Sequence, residues 1–150
     1  MTIHRTLLIM AAAAVAALFS QCAQAQVFGL HLHSLHVPAK EQDNNLNLGA
    51  YVRTESGLTM GFYRNTLRRN SFYVGQSFAL IGPVDVTVGA ITGYKIKDGQ
   101  GWSRNYLGPL VALSVASPVQ VMGLTLRLTL VPGHLVKSRT VLHLSVETRF

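Results

Sequence analysis

Beyond its first 25 residues the chain alternates apolar and polar residues with a period of two, and this repeat limits what it can fold into. A period of two places successive side chains on opposite faces of a strand. At the C-terminus Leu142, Leu144, Val146 and Phe150 fall on one face, and His143, Ser145, Glu147 and Arg149 on the other. Upstream, Met122, Leu124, Leu126, Leu128 and Leu130 alternate with Gly123, Thr125, Arg127 and Thr129. Leu58, Met60 and Phe62 alternate with Thr59, Gly61 and Tyr63, and Val84, Val86 and Val88 with Asp85, Thr87 and Gly89. Helical periodicity is almost absent from this part of the chain.

Eight such segments are predicted, over 27–35, 45–54, 57–65, 70–79, 84–94, 106–116, 119–131 and 139–150. Glu55-Ser56-Gly57, Gly82-Pro83, Ser117-Pro118 and Pro132-Gly133 punctuate them, each suited to a tight turn. Longer loops are expected at 36–44, 66–69, 95–105 and 133–138. Pro109 stands early in a strand, where a missing N–H weakens one pairing. A soluble barrel hides its apolar face inside, whereas a membrane barrel turns it outward to lipid. The non-apolar face is rich in Gly, Thr, Ser, Arg and Glu, too polar and too small to fill a dry core. Strands of this length also match the ~9–11 residues that cross a bilayer when tilted. Arg127 and Glu147, on neighbouring strands, are expected to point inward and pair. The expectation is therefore an all-β chain, an eight-stranded antiparallel transmembrane β-barrel.

The first 25 residues read differently. His4 and Arg5 precede an apolar run from Thr6 to Phe19, and Ala23-Gln24-Ala25 supplies small residues for a signal peptidase. This is the pattern of a cleaved secretory leader, with residues 26–150 left as one barrel domain. The apolar run is too short for a spanning helix, which needs ~20 residues. Cys22, the one cysteine, lies inside the leader, and Gln21 before it is a poor fit to a lipidation signal. No disulfide is therefore expected. The formal charge of +7 includes Arg5, which leaves +6 after the leader is removed. For an exported chain that charge points to anionic lipid headgroups or lipopolysaccharide phosphates, and not to nucleic acid. The terminal Phe150 after alternating apolar residues resembles the signal that outer-membrane barrels present to their assembly machinery. The expected state is a monomer in a bacterial outer membrane, with no cofactor.

Few residues can carry chemistry. His31, His33 and His36 are close together, with His31 and His33 expected on one face, but no further ligand completes a zinc site. Hydrogen bonding in the lumen is the preferred role for them. No phosphate loop or nucleophile elbow is present. The segment from Gly61 to Ser71 stands out, because a hydroxyl nucleophile needs a base in reach and a group to orient it. Thr66 offers the hydroxyl, His36 the base, and Asn65 an orienting or oxyanion group. A merely polar loop is the competing reading.

In order along the chain, several short stretches resemble the PagP-type lipid A palmitoyltransferases, eight-stranded outer-membrane barrels with a lipid-binding interior. Asn105-Tyr106-Leu107-Gly108-Pro109-Leu110 with Ala116-Ser117 resembles that family's Asn-Tyr-Ile-Pro-Leu-Pro…Ala-Ser, and Leu130-Val131-Pro132-Gly133 its Tyr-Ile-Pro-Gly. Arg149-Phe150 resembles its Arg-Phe, and Asn44 to Gly49 its Asn-Glu-Arg-Pro-Trp-Gly. Ser34-Leu35-His36 resembles the Thr-Trp-His with the catalytic His, and Arg64-Asn65-Thr66 falls where the family has Lys-Asp-Ser. The family's N-terminal amphipathic helix has no counterpart, and the loop after His36 is shorter.

The resemblance implies acyl transfer from a phospholipid to lipid A by His36, Asn65 and Thr66, with His31 and His33 as alternatives to His36. It implies a lateral lipid gate near Pro109 and Pro132, and Ser77 at the position that sets acyl length. Arg64, Arg68 and Arg69 are candidates to bind lipid A phosphates. A non-catalytic outer-membrane barrel, structural or surface-interacting, is the alternative. A soluble, lipocalin-like binder of an apolar ligand is a third.

Overall fold

A computed structural model describes residues 25–39, 43–94, 97–98, 101–102, 106–133 and 140–150. The expected leader, with Cys22, lies outside the described residues apart from Ala25. Among the described residues there is no helix. The strands are β1 (Ala25–Val37), β2 (Leu46–Thr54), β3 (Leu58–Arg64), β4 (Asn70–Ile81), β5 (Val84–Tyr94), β6 (Lys97–Asp98), β7 (Gly101–Trp102), β8 (Tyr106–Val121), β9 (Leu124–Val131) and β10 (Thr140–Arg149). Eight of them close into an antiparallel barrel, β1-β10-β9-β8-β5-β4-β3-β2. The two-residue β6 and β7 pair as a small ribbon between β5 and β8. Closure by β1 on β10, from Val27↔Arg149 to Val37↔Thr140, leaves no unpaired sheet edge.

The alternation read from the sequence becomes inside and outside. Val141, His143, Ser145 and Glu147 are buried on β10, and Thr125 and Arg127 on β9. Leu124, Leu126, Leu128 and Leu130 stand exposed outside, as do Phe62, Phe72, Val74 and Val88. The barrel thus has an apolar exterior and a largely polar interior.

Two local expectations are corrected. Ser117-Pro118 does not end a strand, and β9 begins at Leu124 instead of residue 119. The hairpin turns at Met122 (φ 54°) and Gly123 (φ 78°), both left-handed. That pair of conformations makes a two-residue turn whose twist matches the strands it joins. Ser117-Pro118 is absorbed where the β8–β9 register slips between Ala116 and Gln120, and Ser117 Oγ accepts the Val119 N–H at 3.1 Å. Secondly, His31 and His33 do not share a face. The register of β1 shifts between them, so His31 turns inward and His33 is exposed, while Ser34 and His36 return to the buried side. One extra residue in a strand reverses the facing of everything after it.

Glycine and tyrosine interlock across the lumen. In register, Tyr51 on β2 stands between Gly29 on β1 and Gly61 on β3, and Gly61 also faces Tyr73 on β4. A Cβ added to Gly29 would collide with the Tyr51 ring, and one on Gly61 would come within 2.7 Å of the Tyr73 hydroxyl. Small neighbours give large rings room in a narrow barrel. Gly29→Val should therefore lower the thermal unfolding midpoint, read by circular dichroism, by an amount equivalent to about 1–3 kcal/mol of overpacking. An unchanged midpoint would mean that the Tyr51 ring is free to move aside.

Candidate functional site

The lumen is layered from the short turns at one end to the long loops at the other. Nearest the short turns lie four charges from four strands. Arg127 grips Glu147 through two bonds, Nε to Oε2 at 2.8 Å and Nη2 to Oε1 at 3.0 Å. Its Nη1 donates to Asp85 Oδ2. Arg53 approaches Glu147 at 3.4 Å and Asp85 at 3.5 Å, and the Tyr51 hydroxyl donates to Glu147 at 2.9 Å. The inward pairing of Arg127 with Glu147 expected from the alternation is present, and it recruits two further partners. Two cations and two anions cancel, so the group is neutral as a whole. A polar vestibule of about 540 Å3 opens beneath it toward the short turns.

Above Asp85, a hydroxyl chain runs along the wall of three neighbouring strands from Thr59 to Ser77 (2.8 Å) to Thr87 (2.7 Å). The middle is filled by rings. His31 lies 5.1 Å from the Tyr51 ring, 5.3 Å from Tyr63, 5.9 Å from Tyr73 and 6.0 Å from His143, between centroids. Tyr63 and Tyr94 join hydroxyls at 2.8 Å against Ile91, Leu110 and Ala112. The central cavity left among these groups is about 60 Å3. Liquid water takes ~30 Å3 per molecule and ligand pockets ~300–1,000 Å3, so it suits a few waters and not an acyl chain. His31 Nδ1, His143 Nδ1 and Asp85 Oδ1 line this space, are buried, and have no protein hydrogen-bond partner. Polar atoms in such a state are suited to bond ordered water.

At the long-loop end the candidate residues meet. His36, at the end of β1, is buried, and its Nε2 lies 2.6 Å from Thr66 Oγ1. Its Nδ1 lies 2.9 Å from Asn45 Oδ1. A carbonyl oxygen only accepts, so the proton sits on Nδ1 and the Nε2 lone pair faces the Thr66 hydroxyl. This is the tautomer a general base requires. Asn45 is held in place by the Ser34 N–H, which donates to its carbonyl at 2.8 Å. Beside it Ser34 Oγ donates to Asn47, whose Nδ2 donates to the Arg64 carbonyl at 2.6 Å. Asn44 N donates to the Thr66 carbonyl at 3.1 Å. The run Asn44-Asn45-Leu46-Asn47 thus ties the ends of β1, β2 and β3 together.

Asn65 does something other than orient the base. Its Oδ1 accepts the N–H groups of Leu67 (2.9 Å) and Arg69 (3.1 Å). Its Nδ2 donates to Ser71 Oγ (2.9 Å) and to the Gly93 carbonyl (3.0 Å). A carboxamide has two donors and two acceptor lone pairs, and all four are used without His36. Asn65 therefore builds the loop that presents Thr66. Asn45, the residue beside His36, is not among the catalytic candidates that the sequence pattern offers. Its one signal was the density of Asn residues ahead of β2.

The remaining candidates scatter around this end and below it. Arg64 and Arg68 are exposed, Arg68 with a left-handed φ of 57°. Arg69 is half-buried, and its Nη1 finds no hydrogen-bond partner. Ser77 lies in the hydroxyl chain along the wall, away from His36. Pro109 pairs with Ala90 inside an unbroken stretch of the β5–β8 ladder, and Pro132 follows the end of β9. Among the described residues the β8–β9 ladder runs no further toward the loops than Leu113↔Leu130. No family model matches this sequence, and no curated protein matches it.

Two outcomes follow from the bonding. Asn65→Asp replaces two donors by a carboxylate facing the Gly93 carbonyl, and should lower stability by about 1–3 kcal/mol in a denaturation series. Glu147→Gln leaves two arginines short of an anion and should cost about 3–5 kcal/mol, whereas Arg127→Met with Glu147→Met should cost less than the single change.

Proposed function

We propose that this chain is an exported outer-membrane barrel that transfers an acyl chain from a phospholipid to lipid A at its loop end. The observation that carries this reading is the Thr66–His36–Asn45 arrangement, with 2.6 Å and 2.9 Å contacts on the two ring nitrogens. The export reading rests on the leader, and the membrane reading on an apolar exterior around a polar lumen.

In this mechanism His36 Nε2 takes the Thr66 proton while Oγ1 attacks the acyl ester carbonyl. Collapse of the adduct breaks the bond to the lipid alkoxide, which leaves with the proton from His36. An acceptor hydroxyl on lipid A then gives its proton to His36 and takes the acyl group, and the proton returns to Thr66 Oγ1. Asn45 positions the imidazole and needs no charge to do so. Exposed Arg64 and Arg68 offer donors for the phosphates of the lipid substrates. Acyl length is not set in the middle of the lumen in this reading, because the central cavity there is only about 60 Å3.

That packed lumen also favours a second reading, a non-catalytic outer-membrane barrel in which the His36 cluster only ties loops together. Mass spectrometry of lipid A separates the two, using cells that lack their own palmitoyltransferase and express this chain. An acyl-sized mass increase is expected, absent in Thr66→Ala, kept in Thr66→Ser, and reduced roughly 100-fold or more in His36→Ala. An unchanged spectrum, with the barrel folded in the outer membrane, would leave the second reading standing.

A further inference from the structure

The outer wall carries a groove much larger than the central cavity of the lumen. Two rows of outward side chains cross the strands in register. One runs from Ala50 through Phe62 to Phe72, the other from Phe28 through Val52, Met60 and Val74 to Ala90. Between them lies the row Tyr51–Gly61–Tyr73, whose tyrosine side chains turn inward and whose glycine has none. The depression that results holds about 540 Å3. That volume falls within the ~300–1,000 Å3 of ligand sites.

Its chemistry is one-sided. The walls are Phe28, Met60, Phe62, Phe72 and Val74, with the small outward residues Ala50 and Ala90 at the ends of the two rows. The one hydroxyl facing outward there, on Thr92, donates back to the Phe72 carbonyl at 3.2 Å. Phe62 and Phe72 stand side by side at the loop end, with ring centroids 6.3 Å apart. Two residues beyond Phe62 on the same outward face comes exposed Arg64, opposite Asn70, with exposed Arg68 in the loop above. A cation above an apolar groove is complementary to an anionic headgroup above an acyl chain.

We propose that this groove binds one glycerophospholipid, with an acyl chain between the two rows and its phosphate at Arg64 and Arg68. The site rests on the outer-membrane reading above, and requires no catalysis by Thr66. A single groove suits one chain of a two-chain lipid better than the many chains of lipid A.

Native mass spectrometry of the full chain, released from nanodiscs of phosphatidylglycerol, tests this. One retained phosphatidylglycerol per barrel is expected. Ala50→Leu with Ala90→Leu fills the groove from outside and should cut retention roughly tenfold, while Val115→Leu on another part of the wall leaves it unchanged. Arg64→Gln should abolish the preference for phosphatidylglycerol over diacylglycerol. Equal retention in the filled variant, with folding shown by circular dichroism, overturns the groove. So does a preference for lipid A over phosphatidylglycerol in mixed nanodiscs. A folded chain that fails to enter phosphatidylglycerol vesicles overturns the outer-membrane reading and the groove with it, so the two failures are told apart.

Discussion

An eight-stranded barrel encloses a lumen only just wide enough for side chains to fill, and that width governs the rest of this molecule. Each inward residue must either pack or find a partner, because water has little access. Tyr51, Tyr63 and Tyr73 fit because Gly29, Gly49 and Gly61 stand beside them in register. Arg53 and Arg127 are tolerated because Asp85 and Glu147 face them. Charges buried in this way add little net stability, but removing any one strands the others. They link β2, β5, β9 and β10, which supply one charge each.

A filled lumen confines chemistry to the rims. At the long-loop end the bonding is neutral and dense, made by Ser34, Asn44, Asn45, Asn47, Asn65 and Ser71. Carboxamides serve as both donors and acceptors, so each spans two or three chain segments. That versatility explains how a short loop from Asn65 to Arg69 holds Thr66 against His36 without an ion pair. The imidazole there is oriented by an amide oxygen, so its tautomer is set without a nearby carboxylate.

The outer wall is shaped by the same register that fills the lumen. The row Tyr51–Gly61–Tyr73 faces inward, so Gly61 gives the two rings room inside while the outer wall stays low along the same row. The groove therefore follows a row whose side chains lie inside the barrel.

Much of this was legible in the sequence. The period of two determined the strand type, the number of strands and, with few exceptions, which residues face inward, because side-chain facing depends only on parity along the chain. The pairing of Arg127 with Glu147 followed from parity on adjacent strands. What parity does not carry was decided by the tertiary structure. The bulge after His31 reversed the facing of His33, and the turn moved from Ser117-Pro118 to Met122-Gly123 because twist and register select it. Asn45, and not Asn65, reached the imidazole. Hydrogen bonds among asparagines depend on loop positions to within an ångström, and residue type alone does not specify these. The lumen volume, too, emerged only when rings from β2, β3 and β4 met across the closed barrel.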